Sequence, residues 1–179
     1  ENWLIDDFAR RLIAEPQEMD VVVLPSLYGD IFSDAAGGLI GGLGLCPSGC
    51  YGENYAYFEP IHGSAPDIAG KNTINPTAMI RTAGMMLSHM GYNDTAERLE
   101  RALEAVYLDE DRLTPDQGGF ANTNEFCQAV SDRLWNTVQA NTRMPFIHLR
   151  FLAKKRNRVA EYNLSVMYGS RDCVLEELF

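Results

Sequence analysis

The sequence predicts an α/β domain. An amphipathic helix pattern opens the chain, a short β-branched run follows it, and three further helix signals come after a long polar loop. The chain has 179 residues, of which 46% are hydrophobic, so it is long enough to bury a core. It contains no apolar run of about eighteen residues, the length that a membrane-spanning helix needs. We therefore expect a soluble domain that does not bind membranes.

The first two predicted elements are a helix and a strand. Residues 3–14 place five apolar side chains at helical spacing, and Pro16 prevents the helix from continuing. Residues 21–24 form an apolar, β-branched run, which is typical of a strand buried on both faces. A helix followed by such a strand favours the α/β class.

The middle of the chain is predicted to be a glycine-weakened helix and then a long loop. Residues 26–44 begin with helix-compatible residues and become rich in glycine, which lowers helix stability. Residues 46–75 are rich in Gly, Pro, Asn and Ser, with an apolar patch at 55–58 that indicates a strand. Because long ordered loops usually carry function, we expect the site here.

Three helix starts are predicted in the second half of the chain. Asn75 and Pro76 form an N-cap and first-turn pair for a helix ending at Gly91. A capping-box pattern at residues 94 and 97 begins a second helix, which runs to about residue 107. Another, at residues 122 and 125, begins the last helix. The side chains expected to face inward are Met79, Ala83, Met86, Leu87 and Met90 on the first helix, and Phe126, Val130, Leu134 and Val138 on the last.

The net charge of −10 argues against nucleic acid as a partner, because phosphate binding needs a basic surface. A small metabolite is the expected ligand. The four cysteines lack CxxC spacing, which disfavours a zinc site and favours free thiols in a reducing compartment. We expect the cytoplasm or, in a eukaryote, the mitochondrial matrix.

The chain is predicted to divide into residues 1–138 and an atypical extension, residues 139–179. Residues 141–179 hold seven Lys and Arg against four Asp and Glu, unlike the acidic remainder. Residues 148–162 mix basic and apolar side chains, and a helix, a foreign extension and a partly ordered tail all stay open. We assign no role to this extension.

Two segments carry candidate chemistry. Asp30 and Asp34 lie four residues apart, so on a helix their carboxylates would be neighbours, either holding a divalent cation or forming a solvated face. Residues 59–71 place His62, Asp67 and free backbone amides ahead of a helix start, an arrangement that could surround a nucleotide. The third glycine of a Rossmann fingerprint is missing after Gly44.

Four strings in order resemble the C-terminal half of the β-decarboxylating dehydrogenases, the isocitrate/isopropylmalate dehydrogenase family. They are GDIFSD (29–34), GLIGGLGLCPSG (38–49), EPIHGSAPDIAGKNTINP (59–76) and TPDQGG (114–119). The resemblance covers about residues 3–138 and implies that family's sheet with flanking helices, incomplete in this chain. It also implies NAD-dependent oxidation and decarboxylation of a hydroxy-dicarboxylate or hydroxy-tricarboxylate.

The resemblance implies a role for particular residues. It implies a metal site for Mg²⁺ or Mn²⁺ at Asp30, Asp34 and Asp6, with Asp6 reaching the site of the partner subunit in a homodimer or larger homo-oligomer with shared active sites. It places Asp67 at the adenosine ribose, where a carboxylate would repel the 2′-phosphate of NADP, so NAD is expected. The full set of implied cofactor-binding residues is Glu59, His62, Gly63, Ser64, Ala65, Asp67, Ile68 and Asn75.

The resemblance assigns no catalytic residue within this chain, because the family's substrate arginines and catalytic tyrosine and lysine belong to the half that precedes residue 1. We therefore expect the chain alone to be inactive. The strings LPSLYGD (24–30) and GLIGGLGLCPSG resemble NAD isocitrate enzymes and favour isocitrate, although Ser26 stands where most relatives have Asn. 3-Isopropylmalate dehydrogenase, a non-catalytic regulatory subunit and a truncated pseudoenzyme are the alternatives.

Overall fold

The computed structural model describes residues 1–110, 112–139, 147–155 and 158–166. The chain divides into two compact units, Glu1–Thr137 and Val138–Phe179. The helices are α1 (Ile5–Ala14), α2 (Ser26–Leu39), α3 (Thr77–His89), α4 (Asn93–Asp109) and α5 (Thr123–Gln139). The strands are β1 (Pro47–Tyr51) and β2 (Ala56–Pro60) in the first unit, and β3 (Ile147–Lys155) and β4 (Arg158–Val166) in the second. The predicted α/β class is confirmed.

The core of the first unit lies between α4 and α5. Leu103, Val106 and Phe126 are completely buried there, and Val130 packs with them. These positions repeat at helical spacing along both helices, so each helix contributes one apolar face. This core therefore holds α5 in place, including its first residues, which lie beside the loop after β2.

The predicted strand at residues 21–24 is not formed. The segment lies between α1 and α2 without regular secondary structure, and no described strand pairs with it. Val21 is 82% exposed and Val23 is 90% exposed. A β-branched run becomes a buried strand only where neighbouring strands satisfy its backbone groups, and the described residues supply none.

β1 and β2 form an antiparallel hairpin, of which the sequence predicted only the second strand. Pro47 pairs with Pro60 and Tyr51 with Ala56. The hairpin is joined to α3 by aromatic contacts, since the His89 ring lies 5.4 Å from Tyr51 and 5.5 Å from Phe58 between centroids. This fixes the strand that leads into the long loop.

The predicted inward face of α3 is partly wrong. Met79 is 48% exposed and Met90 is 45% exposed, whereas Thr77 and Thr82 are buried together with Ala78 and Leu87. Apolar periodicity misplaced the face because two threonines occupy core positions.

The two predicted capping boxes have different outcomes. At α5 the box is confirmed, since the Asn122 backbone N–H donates to Glu125 at 2.8 Å and the Glu125 N–H donates to the Asn122 side chain at 3.0 Å. At α4 it is wrong, because the helix starts one residue earlier, at Asn93, without a side-chain cap. Glu97 pairs instead with Arg101, one turn along, at 2.7 Å.

The second unit contains an antiparallel hairpin, in which Ile147 pairs with Val166 and Lys155 with Arg158. The helix considered for residues 148–162 is therefore not formed. Residues 167–179 and the side chain of Val138 lie outside the described part. Within that part, none of the helices has the length and apolar character that a bilayer crossing requires.

Candidate functional site

The loop between β2 and α3, residues 61–76, is anchored at its start and shaped by a turn. The Ile61 N–H donates to the Cys46 carbonyl at 3.1 Å, which extends the hairpin pairing by one residue. The Ala65 carbonyl accepts hydrogen bonds from Ile68 at 3.0 Å and Ala69 at 3.1 Å. Ala65 itself has a φ of 41°, a left-handed conformation that non-glycine residues seldom adopt. The loop therefore has a defined backbone although its residues 63–70 are exposed.

A groove of about 490 Å³ runs between this loop and the start of α5. Its volume is within the range of small-molecule sites. At one edge, the His62 Nδ1 lies 2.9 Å from the Gly63 carbonyl, so Nδ1 carries the proton and Nε2 of a neutral ring is an acceptor. The residues that line the groove are His62, Gly70, Asn72, Ile74, Asn75, Pro76, Met79, Thr123 and Asn124.

The C-terminal part of the loop is hydrogen-bonded to the start of α5, which closes one end of the groove. The Asn72 carbonyl accepts from the Thr123 N–H at 3.0 Å, and the Asn72 side chain accepts from the Asn124 N–H at 3.2 Å. The Thr123 hydroxyl donates to the Ile74 carbonyl at 2.6 Å. The end of the loop is thereby fixed to a helix whose own start is capped.

Behind the groove lies a polar cluster that we call the Asn75 network, formed by Asn75, Thr77, Tyr107, Thr114 and Asp116. The Asn75 side-chain amide donates to Asp116 at 2.9 Å and to the Tyr107 hydroxyl at 3.2 Å, and its oxygen accepts from the Thr77 N–H at 3.0 Å. The Tyr107 hydroxyl is also 2.7 Å from the Thr77 hydroxyl. Asn75 is only 4% exposed, so these internal partners replace water.

The Asp116 carboxylate is the charged member of the network. Burial raises its pKa, but hydrogen bonds from Thr114, Asn75, Gln117 and its own backbone outweigh burial and hold the pKa below the ordinary aspartate value. The Gln117 side chain also donates to the Gly41 carbonyl at 3.0 Å. A carboxylate is therefore kept ionised where it joins the end of the loop at 61–76 to the turn at 115–117, and the neighbouring Gln117 joins that turn to the loop after α2.

The structure brings some of the predicted cofactor residues together. His62 and Asn75 line the groove, while Gly63, Ser64, Ala65 and Asp67 lie exposed on the adjoining loop, and Ile68 is 40% exposed. Glu59 is exposed on β2 and does not line the groove.

Sequence reasoning did not select Thr114, Asp116 or Tyr107. The TPDQGG string was noted as a whole, and its proline-started turn was a local signal for the first two. Tyr107 had no such signal, since only tertiary packing brings it to Asn75.

The three predicted metal carboxylates lie on two helices. Asp30 and Asp34 are exposed and one turn apart on α2, and neither forms an ion pair with a described residue. Asp6 lies on α1. Among the described residues no three acidic, histidine or cysteine side chains are close enough to hold a metal ion. The pair on α2 fits part of the oxygen set that Mg²⁺ and Mn²⁺ prefer, with further ligands needed from elsewhere.

Comparison with known proteins reveals close relatives. An isocitrate/homoisocitrate dehydrogenase of Thermus thermophilus is 50% identical over 134 residues, which are 75% of this chain and 40% of the relative. A 3-isopropylmalate dehydrogenase of Methanothermobacter thermautotrophicus is 49% identical over 74% of this chain and 40% of its own length. The mitochondrial isocitrate dehydrogenase [NAD] subunit alpha of Homo sapiens is 48% identical over 73% of this chain and 36% of its own length. The chain thus spans about 40% of the length of the curated relatives it matches.

The fold comparison agrees with the sequence comparison. The crystal structure of isocitrate dehydrogenase from Methylococcus capsulatus superposes with a TM-score of 0.70 at 44% identity, covering 73% of this chain and 39% of that one. The sequence profile described as isocitrate/isopropylmalate dehydrogenase matches residues 1–130. This chain therefore belongs to the isocitrate/isopropylmalate dehydrogenase family.

Proposed function

We propose that this chain contributes the adenosine-binding groove and two metal carboxylates to an NAD-dependent dehydrogenase that oxidises and decarboxylates a 2-hydroxy acid carrying a β-carboxylate. The observation that carries this proposal is the groove between the loop at 61–76 and α5, in a chain of this family. Its apolar and neutral lining suits a nucleobase, and its fixed walls limit the entropy lost on binding.

The loop residues support NAD rather than NADP. Asp67 is exposed on the turn that follows Ala65, and it forms no ion pair with a described residue. Its carboxylate can accept hydrogen bonds from ribose hydroxyls, whereas a 2′-phosphate beside it would be repelled. The hydrogen bond from the His62 Nδ1 to the Gly63 carbonyl holds the imidazole ring at the groove.

Asp30 and Asp34 are the residues that would hold Mg²⁺ or Mn²⁺ in this chain. Their exposure on one face of α2 leaves both carboxylates open to a ligand. A divalent ion bound there supplies Lewis-acid stabilisation of negative charge on the substrate oxygen. Asp6 lies on α1. From the family resemblance we propose that it serves the site of a partner subunit in a homodimer with shared active sites.

Isocitrate is the substrate that we propose, with 3-isopropylmalate as the second candidate. The relatives named for isocitrate are 50% and 48% identical, and the one named for 3-isopropylmalate is 49% identical. Overall identity therefore does not separate the two. The strings at residues 24–30 and 38–49 support isocitrate.

The first experiment measures NADH formation by the complete protein with isocitrate, 3-isopropylmalate or homoisocitrate, each with Mg²⁺, Mn²⁺ or EDTA. We expect turnover of isocitrate with NAD, a much slower rate with NADP, and none with EDTA. Asp30→Asn should lower the rate on the order of 100-fold or more, because one ligand of a hard cation becomes neutral.

The matched control for this experiment is Asp94→Asn, which neutralises an exposed carboxylate in the first turn of α4. It should leave the rate unchanged. Turnover of 3-isopropylmalate alone would replace the proposed substrate with the second candidate. A folded complete protein that turns over none of the three acids would refute the dehydrogenase proposal and favour the regulatory or pseudoenzyme alternatives.

A further inference from the structure

We infer that Asp116 is a positioning residue for the nucleotide, acting through Asn75 to hold one wall of the groove. The inference rests on the proposed function and deepens it. Asp116 does not line the groove, whereas Asn75 does. The carboxylate would therefore influence nucleotide binding without touching the nucleotide.

Asp116 lies at the protein surface, but both oxygens of its carboxylate accept hydrogen bonds from neighbouring side chains. One accepts from the Thr114 hydroxyl at 2.6 Å, and the other accepts from the Asn75 amide at 2.9 Å and the Gln117 amide at 3.1 Å. Thr114 is completely buried, so the first of these bonds has little competition from water. The carboxylate is thereby held in one orientation.

The fixed carboxylate in turn fixes the Asn75 amide. Because Asp116 accepts only, the nitrogen of Asn75 must face it, and the oxygen must face the Thr77 N–H. Rotation of the amide by half a turn would place its oxygen against the Asp116 carboxylate and its NH₂ group against the Thr77 N–H. The orientation of Asn75 is thus determined by charge and not only by shape.

Fixing Asn75 also fixes the junction between the loop and α3. Asn75 stands two residues before the first residue of α3, and its oxygen satisfies one of the free N–H groups at that helix start. Pro76 and Met79, which come next on the same wall, depend on this junction. Loss of the Asp116 charge would let the wall relax while the core between α4 and α5 stays packed.

The test compares the complete wild-type protein with Asp116→Asn, using the KM for NAD, the kcat at saturating NAD, and the affinity for AMP as a probe of the adenosine half. We expect the KM for NAD and the dissociation constant of AMP to rise about 10-fold, the effect of losing one hydrogen bond to a charged group. The kcat and the KM for the hydroxy acid should change less than about 2-fold, since Asp116 contacts neither reacting group.

A double-mutant cycle tests whether Asp116 acts through Asn75. Asn75→Ala should weaken NAD binding, and adding Asp116→Asn to it should have no further effect. Asp109→Asn is the matched control, because the Asp109 carboxylate, at the C-terminal end of α4, pairs with Arg133 and not with the Asn75 network, so it should leave the KM for NAD unchanged. If Asp116→Asn does not fold, Asp116→Glu serves instead, since it keeps the charge but displaces the carboxylate from Asn75.

The outcomes separate the two proposals. Suppose that the wild type uses NAD and that Asp116→Asn, or Asp116→Glu in its place, leaves the KM for NAD and the affinity for AMP unchanged. This result overturns the role of Asp116 and leaves the proposed function standing. Equal losses of kcat and of affinity for both substrates would indicate a general structural role and would also overturn it. A wild-type protein that does not bind NAD refutes the proposed function itself, and the inference falls with it.

Discussion

Replacing Tyr107 by phenylalanine removes one hydroxyl from the Asn75 network and leaves the aromatic ring in place. The ring packs edge-on against Phe126, with 5.8 Å between centroids, and phenylalanine keeps that contact. The hydroxyl is 2.7 Å from the Thr77 hydroxyl and 3.2 Å from the Asn75 amide. Both partners are buried, so neither gains water in exchange.

The expected loss of stability follows from what each partner keeps. Asn75 still donates to Asp116 at 2.9 Å, whereas the Thr77 hydroxyl, which is 0% exposed, keeps no described partner. An unsatisfied buried hydroxyl costs about 1–3 kcal/mol, and the longer bond to Asn75 adds up to about 1 kcal/mol. We therefore expect Tyr107→Phe to lower the free energy of unfolding by about 1–4 kcal/mol.

Urea unfolding of the complete protein, followed by circular dichroism, measures this loss as a lower midpoint at unchanged m-value. The double variant Tyr107→Phe with Thr77→Val removes both hydroxyls and should recover about half of the loss or more, because no polar group is then left unpaired. Tyr55→Phe is the control, since Tyr55 is 86% exposed. A Tyr107→Phe loss below about 0.5 kcal/mol, or simple additivity with Thr77→Val, would refute the reasoning.

Three further predictions follow from the same region of the fold. The wild type should be more stable than Asp116→Asn at neutral pH. The difference in stability should disappear as the pH falls through the lowered pKa of Asp116, because only the ionised carboxylate provides the stabilisation. A difference in urea midpoints that persists in acid would contradict this. Gly119→Ala should destabilise the protein by about 1–3 kcal/mol or more in the same urea assay, since its Cβ would lie 1.9 Å from the Leu113 carbonyl oxygen. Gly38→Ala is its control, because the Cβ there meets nothing within 4 Å and should stabilise α2 by up to about 1 kcal/mol. Asn122→Ala should cost about 1 kcal/mol through loss of the α5 cap, and an unchanged melting temperature would show that the cap contributes nothing.

The sequence predicted the elements whose signals are local. The Asn122 cap of α5 and the apolar face of that helix are formed as expected, because a capping side chain and helical spacing act within one turn. The strand at residues 21–24 was predicted from composition alone, and composition does not provide the neighbouring strand that pairing requires.

The groove was predicted as a loop but not as a cavity with a supporting network. His62 and Asn75 were recognised from the resemblance, and both line the groove. Asp116 stands 41 residues from Asn75 and Tyr107 stands 32 residues from it, so their contacts depend on how α3, α4 and the turn at 115–117 pack. Buried threonines misled the assignment of α3, because Thr77 counts as polar by composition while its hydroxyl has a partner inside the protein.

The exposure of residues 63–70, between a paired strand end and a fixed helix start, has a consequence for how this protein can evolve. Exposed side chains away from caps and buried networks change stability by no more than about 0.5 kcal/mol when substituted. Asp67 and Ile68 belong to this stretch, so mutations there alter the chemistry presented to a ligand almost without a folding penalty. Mutations at Asn75 carry that penalty in full, because its side chain is buried and hydrogen-bonded. Selection can therefore revise ligand preference at the exposed turn while the Asn75 network holds the scaffold constant.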